Sequence, residues 1–343
     1  MYKGEICDVH IHIEHENARQ VVIPKLHKAG ISRYVLQGTG CYDIDSRGIS
    51  NLLGLAQKLR DPGRCYAFAS IDHPDTGTGS AERLLDEVKM YHAMGFDGVK
   101  MIEGKPKCRI RTGVPLDDAV YEPMLRYLED NDIPLLSHVN DPRFFWDKSK
   151  MTPRQIANGW FAGPEYPHFE VVRAEALNTM RRHPGLRTVF AHFFFAAGST
   201  DEADGIFDEF PNVSFDLTPG THFMEMADDR DNWRDYLIRR ADRLLYGTDS
   251  CILTTEHYED ECRFVLENDA VIPYQGKQLH CFALPEEALA KIYQGNFDRF
   301  CGKTPRPVSK DAIPEFISWS KSLISDSHIF DGLCREMDEV EFE

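Results

Sequence analysis

The chain has 343 residues, 42% of them hydrophobic, enough to bury one large core or two average ones. Its formal net charge of −17 argues against phosphate backbones and anionic lipid surfaces as partners. The start carries no apolar stretch of signal-peptide length, no segment approaches about 18 uninterrupted apolar residues, and nine scattered cysteines form no C-x-x-C pair, so a cytoplasmic protein with reduced thiols is expected.

The first element is a strand over residues 6–13, which carries Cys7-Asp8-Val9-His10-Ile11-His12-Ile13. Its alternation puts His10 and His12 on one face, where two imidazoles can chelate one metal ion. Further strand-like runs follow at 33–38, 65–71, 98–102, 134–139, 187–193, 213–217 and 244–247. Several are nearly continuous apolar runs, as in parallel strands buried on both faces. Helical patterns fall between them at 18–29, 49–60, 81–94, 121–131, 170–182, 203–210 and 231–240, and one more follows at 285–300. Ser80 is placed to cap the third helix and Gly95 to end it.

Eight strands alternating with helices point to an α/β protein built as a (β/α)8 TIM barrel. No G-x-G-x-x-G or P-loop pattern follows any strand. The barrel domain is expected over 1–302. A C-terminal helical extension over 303–343 would pack on the barrel or be partly disordered. It holds a Pro-rich link, a helix near 314–324 and an acidic end that reads as solvated.

In such barrels chemistry sits at the C-terminal ends of the strands. Those ends carry His10 and His12, Lys100, His138, His192, Asp216 with Thr218, and Asp249. A buried polar group must find a partner, so six polar strand ends at one barrel mouth suggest a site. Asp8 reads equally as a solvated residue or as an oxygen partner for a histidine N–H. His15, His73 and His222 are placed to line the mouth. The other histidines read as surface or packing residues.

His-x-His on the first strand, histidines on the fifth and sixth, and Asp249 on the eighth resemble the amidohydrolase superfamily, in its amidohydrolase 2 branch. The run from Leu284-Pro285-Glu286-Glu287 to Gly295-Asn296-Phe297-Asp298-Arg299 is similar to that branch's last barrel helix. The resemblance implies that His10, His12, His138 and Asp249 hold one divalent metal, zinc before others. Asp249 and His192 would be the catalytic groups, moving protons and bracing the attacked oxygen. Lys100 leaves two arrangements open. It binds a substrate carboxylate beside one metal, or it is carboxylated and bridges two, with His192 as a further ligand.

The segment 140–167 is long for a barrel loop and rich in aromatics, so it is expected to form a lid or a subunit contact. Within it Arg143 and Trp146 are expected to bind substrate, with His222 from the seventh loop. Arg109 and Arg111 offer a further anion contact. The function expected is a metal-dependent hydrolase of an ester, lactone or amide in a small, carboxylate-bearing molecule. A metal-dependent non-oxidative decarboxylase of a small unsaturated or aromatic acid is the alternative. A homodimer is the default oligomer.

Overall fold

The apolar runs pair side by side because burial on both faces leaves parallel neighbours as their hydrogen-bond partners. They form β1 (Cys7–His12), β2 (Arg33–Gln37), β3 (Cys65–Ser70), β4 (Gly98–Gly104), β5 (Leu135–Val139), β6 (Thr188–Phe190), β7 (Val213–Asp216) and β8 (Leu244–Leu245), joined in that order. The ring closes through Val9 N–H to Tyr246 O at 3.0 Å and Asp249 N–H to His10 O at 2.8 Å. The chain is therefore a TIM barrel. The computed structural model describes residues 2–13, 18–39, 49–71, 73, 77–274, 276–321, 331, 334 and 335. His15, Cys41, His328 and the acidic end lie outside them.

The helices are α1 (Ala18–Lys28), α2 (Ile49–Arg60), α3 (Ala81–Met94), α4 (Pro106–Thr112), α5 (Glu122–Asp130), α6 (Pro153–Ala157), α7 (Phe169–Arg182), α8 (Thr200–Glu209), α9 (His222–Met226), α10 (Arg230–Arg239), α11 (Tyr258–Glu267), α12 (Glu286–Ala290), α13 (Asn296–Cys301) and α14 (Ile313–Lys321). The Ser80 hydroxyl accepts from Arg83 N–H at 3.1 Å and caps α3, and Gly95 ends it at φ +101°. A π turn at Lys291–Gly295 separates α12 from α13, where the sequence pattern reads as one helix. The hairpin β9 (Val271–Tyr274) and β10 (Lys277–His280) was not foreseen; its runs are four residues each, with Pro273 in the first.

Two cores result. Cys7, Val9, Val35, Tyr66, Phe68, Leu136, Val189 and Leu245 fill the barrel, and Phe297 and Phe300 of α13 join them. Ile6, Ile11 and Ile13 belong instead to the layer between strands and helices. Gly98 leaves room for the Phe68 ring, which stands 2.6 Å from where a Cβ would sit.

The membership of β1 shows a change of parity. Strict alternation would put residues 7, 9, 11 and 13 on one face. Here 7 and 9 point into the barrel, and 11 and 13 point out. The cause is a bulge: Asp8 pairs with Tyr34 and Ile11 with Leu36, so β1 spends one more residue than β2. The bulge turns His10 and His12 inward.

Past Gly302 the chain crosses α3. Arg306 N–H donates to Asp97 at 2.7 Å and Ser309 N–H to Met94 O at 2.9 Å. Phe316 and Trp319 then pack edge-on against Tyr91.

Candidate metal centre

The inward turn of β1 brings His10 Nε2 to 3.1 Å from His12 Nε2. Asp249, just past β8, completes a trio, its Oδ1 3.5 Å from His10 Nε2 and 3.2 Å from His12 Nε2. One ligand atom from each lies within 4.8 Å of the others. Asp249 takes a left-handed backbone at φ +57°, which aims its carboxylate back across the mouth. Gly247 permits the close passage of the chain here; a Cβ would lie 2.6 Å from Thr218 and 3.0 Å from His10.

Asp216, at the end of β7 and fully buried, sets the protonation of two rings. Its Oδ2 accepts from His10 Nδ1 at 2.8 Å. Its Oδ1 accepts from the N–H groups of His192 at 2.7 Å and Thr218 at 3.2 Å, and from the Thr218 hydroxyl. That hydroxyl has spent its proton, so toward His192 Nδ1, 3.0 Å away, it can only accept. His10 and His192 therefore both carry the proton on Nδ1 and leave Nε2 unprotonated, that of His10 facing His12 and the Lys100 ammonium. A carboxylate behind the ring of a ligating histidine is the arrangement that orients metal ligands.

His138 takes the opposite tautomer. Its Nε2 lies 2.8 Å from the Asn140 carbonyl oxygen, which can only accept, so Nδ1 holds the lone pair. Burial is the first cause that lowers the pKa of His10, of His192 and of His138, the last to about 4. Burial also raises the Asp249 carboxyl, but the His12 hydrogen bond and the neighbouring rings outweigh it and hold it well below the usual carboxylate range. Neutral imidazoles and an ionised carboxylate are the forms that bind a metal.

The strand-end residues meet at one mouth, with different neighbours. His10, His12 and Asp249 form the trio. His138 stands beside His192, with ring centroids 4.8 Å apart, and both line the same cavity. Lys100 is buried and donates to His10 Nε2 at 3.1 Å, with burial first among the causes that lower its pKa to about 8. Asp8 braces backbone, accepting from His10 N–H at 2.9 Å and the Thr248 hydroxyl at 2.7 Å. The oxygen behind the His10 ring is that of Asp216.

The mouth opens into a cavity of about 510 Å³, lined by His12, His138, His192 and Asp249 at one end. Phe144, Phe145, Trp160 and Phe195 make its apolar wall, and Lys105 and Asp141 its charged edge. The segment after β5 supplies much of this wall. It is ordered by a capping box: Thr152 N–H donates to Gln155 Oε1 at 2.8 Å and Gln155 N–H to Thr152 Oγ1 at 3.3 Å.

Three residues expected to touch substrate are placed elsewhere. Arg143 is half exposed and pairs with Glu170 and Glu202. Trp146 donates its indole N–H to Pro167 O at 3.0 Å and packs on Phe169, so it anchors the segment after β5. His222 is fully buried and stacked on Phe193, because α9 tucks it under the seventh loop. Arg109 is spent on a bidentate pair with Glu175. His73 is buried against Glu103, 2.5 Å away. Lys105 and Asp141 were missed; the ion pair between them, 2.6 Å long, joins two loops 36 residues apart and leaves no local pattern.

A family model described as Amidohydrolase matches residues 8–300. No curated protein matches the chain. Among solved structures, an uncharacterized TIM-barrel protein from Bordetella bronchiseptica shares 16% identity over 88% of this chain and 99% of that one, with a TM-score of 0.57. 2,6-Dihydroxybenzoate decarboxylase from Rhizobium shares 14% identity over 87% of this chain and 98% of its own, with a TM-score of 0.57. A dihydroxybenzoic acid decarboxylase from a Polaromonas species, with bound manganese and the inhibitor 2-nitroresorcinol, shares 16% over 87% and 97%, with a TM-score of 0.54. At these identities the likeness is one of fold.

Proposed function

The chain belongs to the amidohydrolase family, and from that premise we propose a metal-dependent hydrolase that opens an ester, lactone or amide bond in a small, carboxylate-bearing substrate. One observation carries the reading: proton acceptors line the cavity. The Thr218 contact leaves His192 Nε2 as its lone pair, and the rings beside Asp249 hold its carboxyl well below the usual carboxylate range. Hydrolysis needs such acceptors to take a proton from water.

The donor set fits a divalent metal. The His10 and His12 Nε2 atoms lie 3.1 Å apart beside the Asp249 carboxylate, and His12 Nδ1 is buried with no hydrogen-bond partner among the described residues. His10, His12 and Asp249 would hold the ion, with His138 as the fourth ligand; imidazole-rich sets suit zinc. A bound divalent ion supplies water activation near neutral pH and polarisation of the carbonyl. Around it Asp249 takes the water proton, and His192, which offers an Nε2 lone pair there, relays the proton onward. Phe144, Phe145, Trp160 and Phe195 exclude water, which strengthens these interactions.

The aromatic wall gives the second reading, a decarboxylase of an aromatic acid, the activity named for the Rhizobium and Polaromonas proteins. There a group at the mouth must first acquire a proton to deliver to carbon.

Two measurements test the proposal. Elemental analysis of purified protein should find about one metal per chain, lost in His12→Ala. Full occupancy in that variant, or none in the wild type after growth with zinc or manganese, sinks it. A panel of lactones, esters and aromatic acids, read for acid release and for CO₂, then decides between the two reactions.

A further inference from the structure

A second chamber of about 280 Å³ adjoins the metal cavity and shares Lys105, Asp141, Phe145 and Trp160 with it. Its other walls are Pro106, Lys107, Gly159, Phe161, Ala162 and Tyr166. We propose that this chamber is a subsite for a second, remote anionic group on an elongated substrate, held by Lys107. The inference rests on the reading of the main cavity as the reaction site.

Charge and shape point the same way. Two lysines and one aspartate face the chamber, and Lys105 already neutralises Asp141 at 2.6 Å. Lys107 has no ion-pair partner among the described residues, although the chain carries 56 acidic side chains. Its ammonium lies against the Gly159 backbone, 3.9 Å from where a Cβ would sit. The long-range field of a chain with net charge −17 repels anions, so a local cation is what makes this chamber receptive to one.

The wall between the chambers is apolar and flat. Phe145 and Trp160 stack at 5.7 Å with 26° between their planes, and Ala162 N–H pins the strap to Phe145 O at 2.9 Å. Trp160 remains 46% exposed, a ring face free to stack on a bound one. A ligand spanning both chambers would set one acid at the histidines, a flat apolar body along Phe145 and Trp160, and its far anion on Lys107. The two volumes together fall in the range of about 300–1,000 Å³ that holds ligands larger than a single ring.

Calorimetric titration of the full-length, metal-loaded protein tests this with biphenyl-4-carboxylate and biphenyl-4,4′-dicarboxylate. The dicarboxylate should bind roughly two- to fivefold more tightly, the gain from one exposed charge pair. Lys107→Gln should remove that preference without changing the monocarboxylate affinity, and Lys107→Arg should restore it. Equal affinities in the wild type, no binding of either probe at millimolar concentration, or a preference that survives in Lys107→Gln overturns the subsite. Metal content is read on the same samples. No preference in fully metal-loaded wild type refutes the subsite alone; a wild type that takes up no metal yet keeps the preference refutes only the metal reading.

Discussion

Asp216→Asn changes almost nothing in shape and should disable the centre. The carboxylate Oδ1 takes donors from His192 N–H, Thr218 N–H and the Thr218 hydroxyl, while Oδ2 takes the His10 Nδ1 proton. An asparagine has one acceptor oxygen, and the three donors hold it on the Oδ1 side. Its NH₂ group then faces His10 Nδ1, donor against donor. His10 must move its proton to Nε2, the nitrogen that faces His12 and Asp249. Loss of a histidine's orienting carboxylate weakens metal binding by about 10- to 100-fold, which is roughly 1.4–2.7 kcal/mol. The lost charge-assisted hydrogen bond should also cost about 1.5–3 kcal/mol of fold stability. Chelator competition measures the first, urea unfolding the second, and nitrogen-15 NMR of the imidazoles reads the tautomer directly. A folded Asp216→Asn that binds metal as the wild type does, or that keeps the His10 proton on Nδ1, refutes the reasoning.

Other substitutions probe other parts. His192→Gln should lower kcat on the best ester or lactone by about 10²–10⁴ with metal content unchanged; loss of metal would instead make His192 a ligand of a second ion. His222, with its pKa pulled by burial from 6.5 to about 4, stays neutral when folded but charges when unfolded, so it costs stability as pH falls through 6.5. At pH 5 that cost is about 2 kcal/mol and at pH 8 it is absent. His222→Phe should therefore gain stability relative to wild type between pH 8 and pH 5, and a difference that stays flat with pH would contradict the assignment. Phe297→Ala should lose about 3–5 kcal/mol by urea unfolding, since this side chain is buried inside the barrel against Tyr66. A loss under about 1 kcal/mol would show that α13 does not seal it.

The barrel was legible because eight apolar runs at regular spacing allow few other folds, and six of the mouth residues could be read from their position at strand ends. The bulge in β1 was not, since nothing in Val9-His10-Ile11 differs from plain alternation; only the pairing with β2 reveals it. The placement of Arg143 and Trp146 was hidden for a related reason. Arg143 and Trp146 look like binding residues by type, but Glu202 and Pro167, which engage them, are distant in sequence. Asp216 was picked out as a strand-end residue, yet its part in fixing two imidazoles required seeing β1, β6 and β7 together.

The strand pattern over 187–193 ends early, at Phe190, and the reason bears on the chemistry. His192, Phe193, Phe194 and Phe195 all take positive φ, between +48° and +56°. Non-glycine residues pay about 1–2 kcal/mol each for that backbone, so something must hold the turn. Three buried phenylalanines do: Phe193 packs on Phe215 and Trp233, Phe194 stacks on Phe190 at 4.2 Å, and Phe195 lies beside His138. Each buried ring returns about 1.5–3 kcal/mol, enough to offset the strain. The turn lets His192 do two things that an extended strand could not combine. Its backbone N–H reaches Asp216 while its ring stays at the cavity. Asn140 and Asp249 repeat the device after β5 and β8, at φ +68° and +57°. Strain is thus gathered at the strand ends that carry His138, His192 and Asp249, where backbone geometry decides which atoms face the substrate.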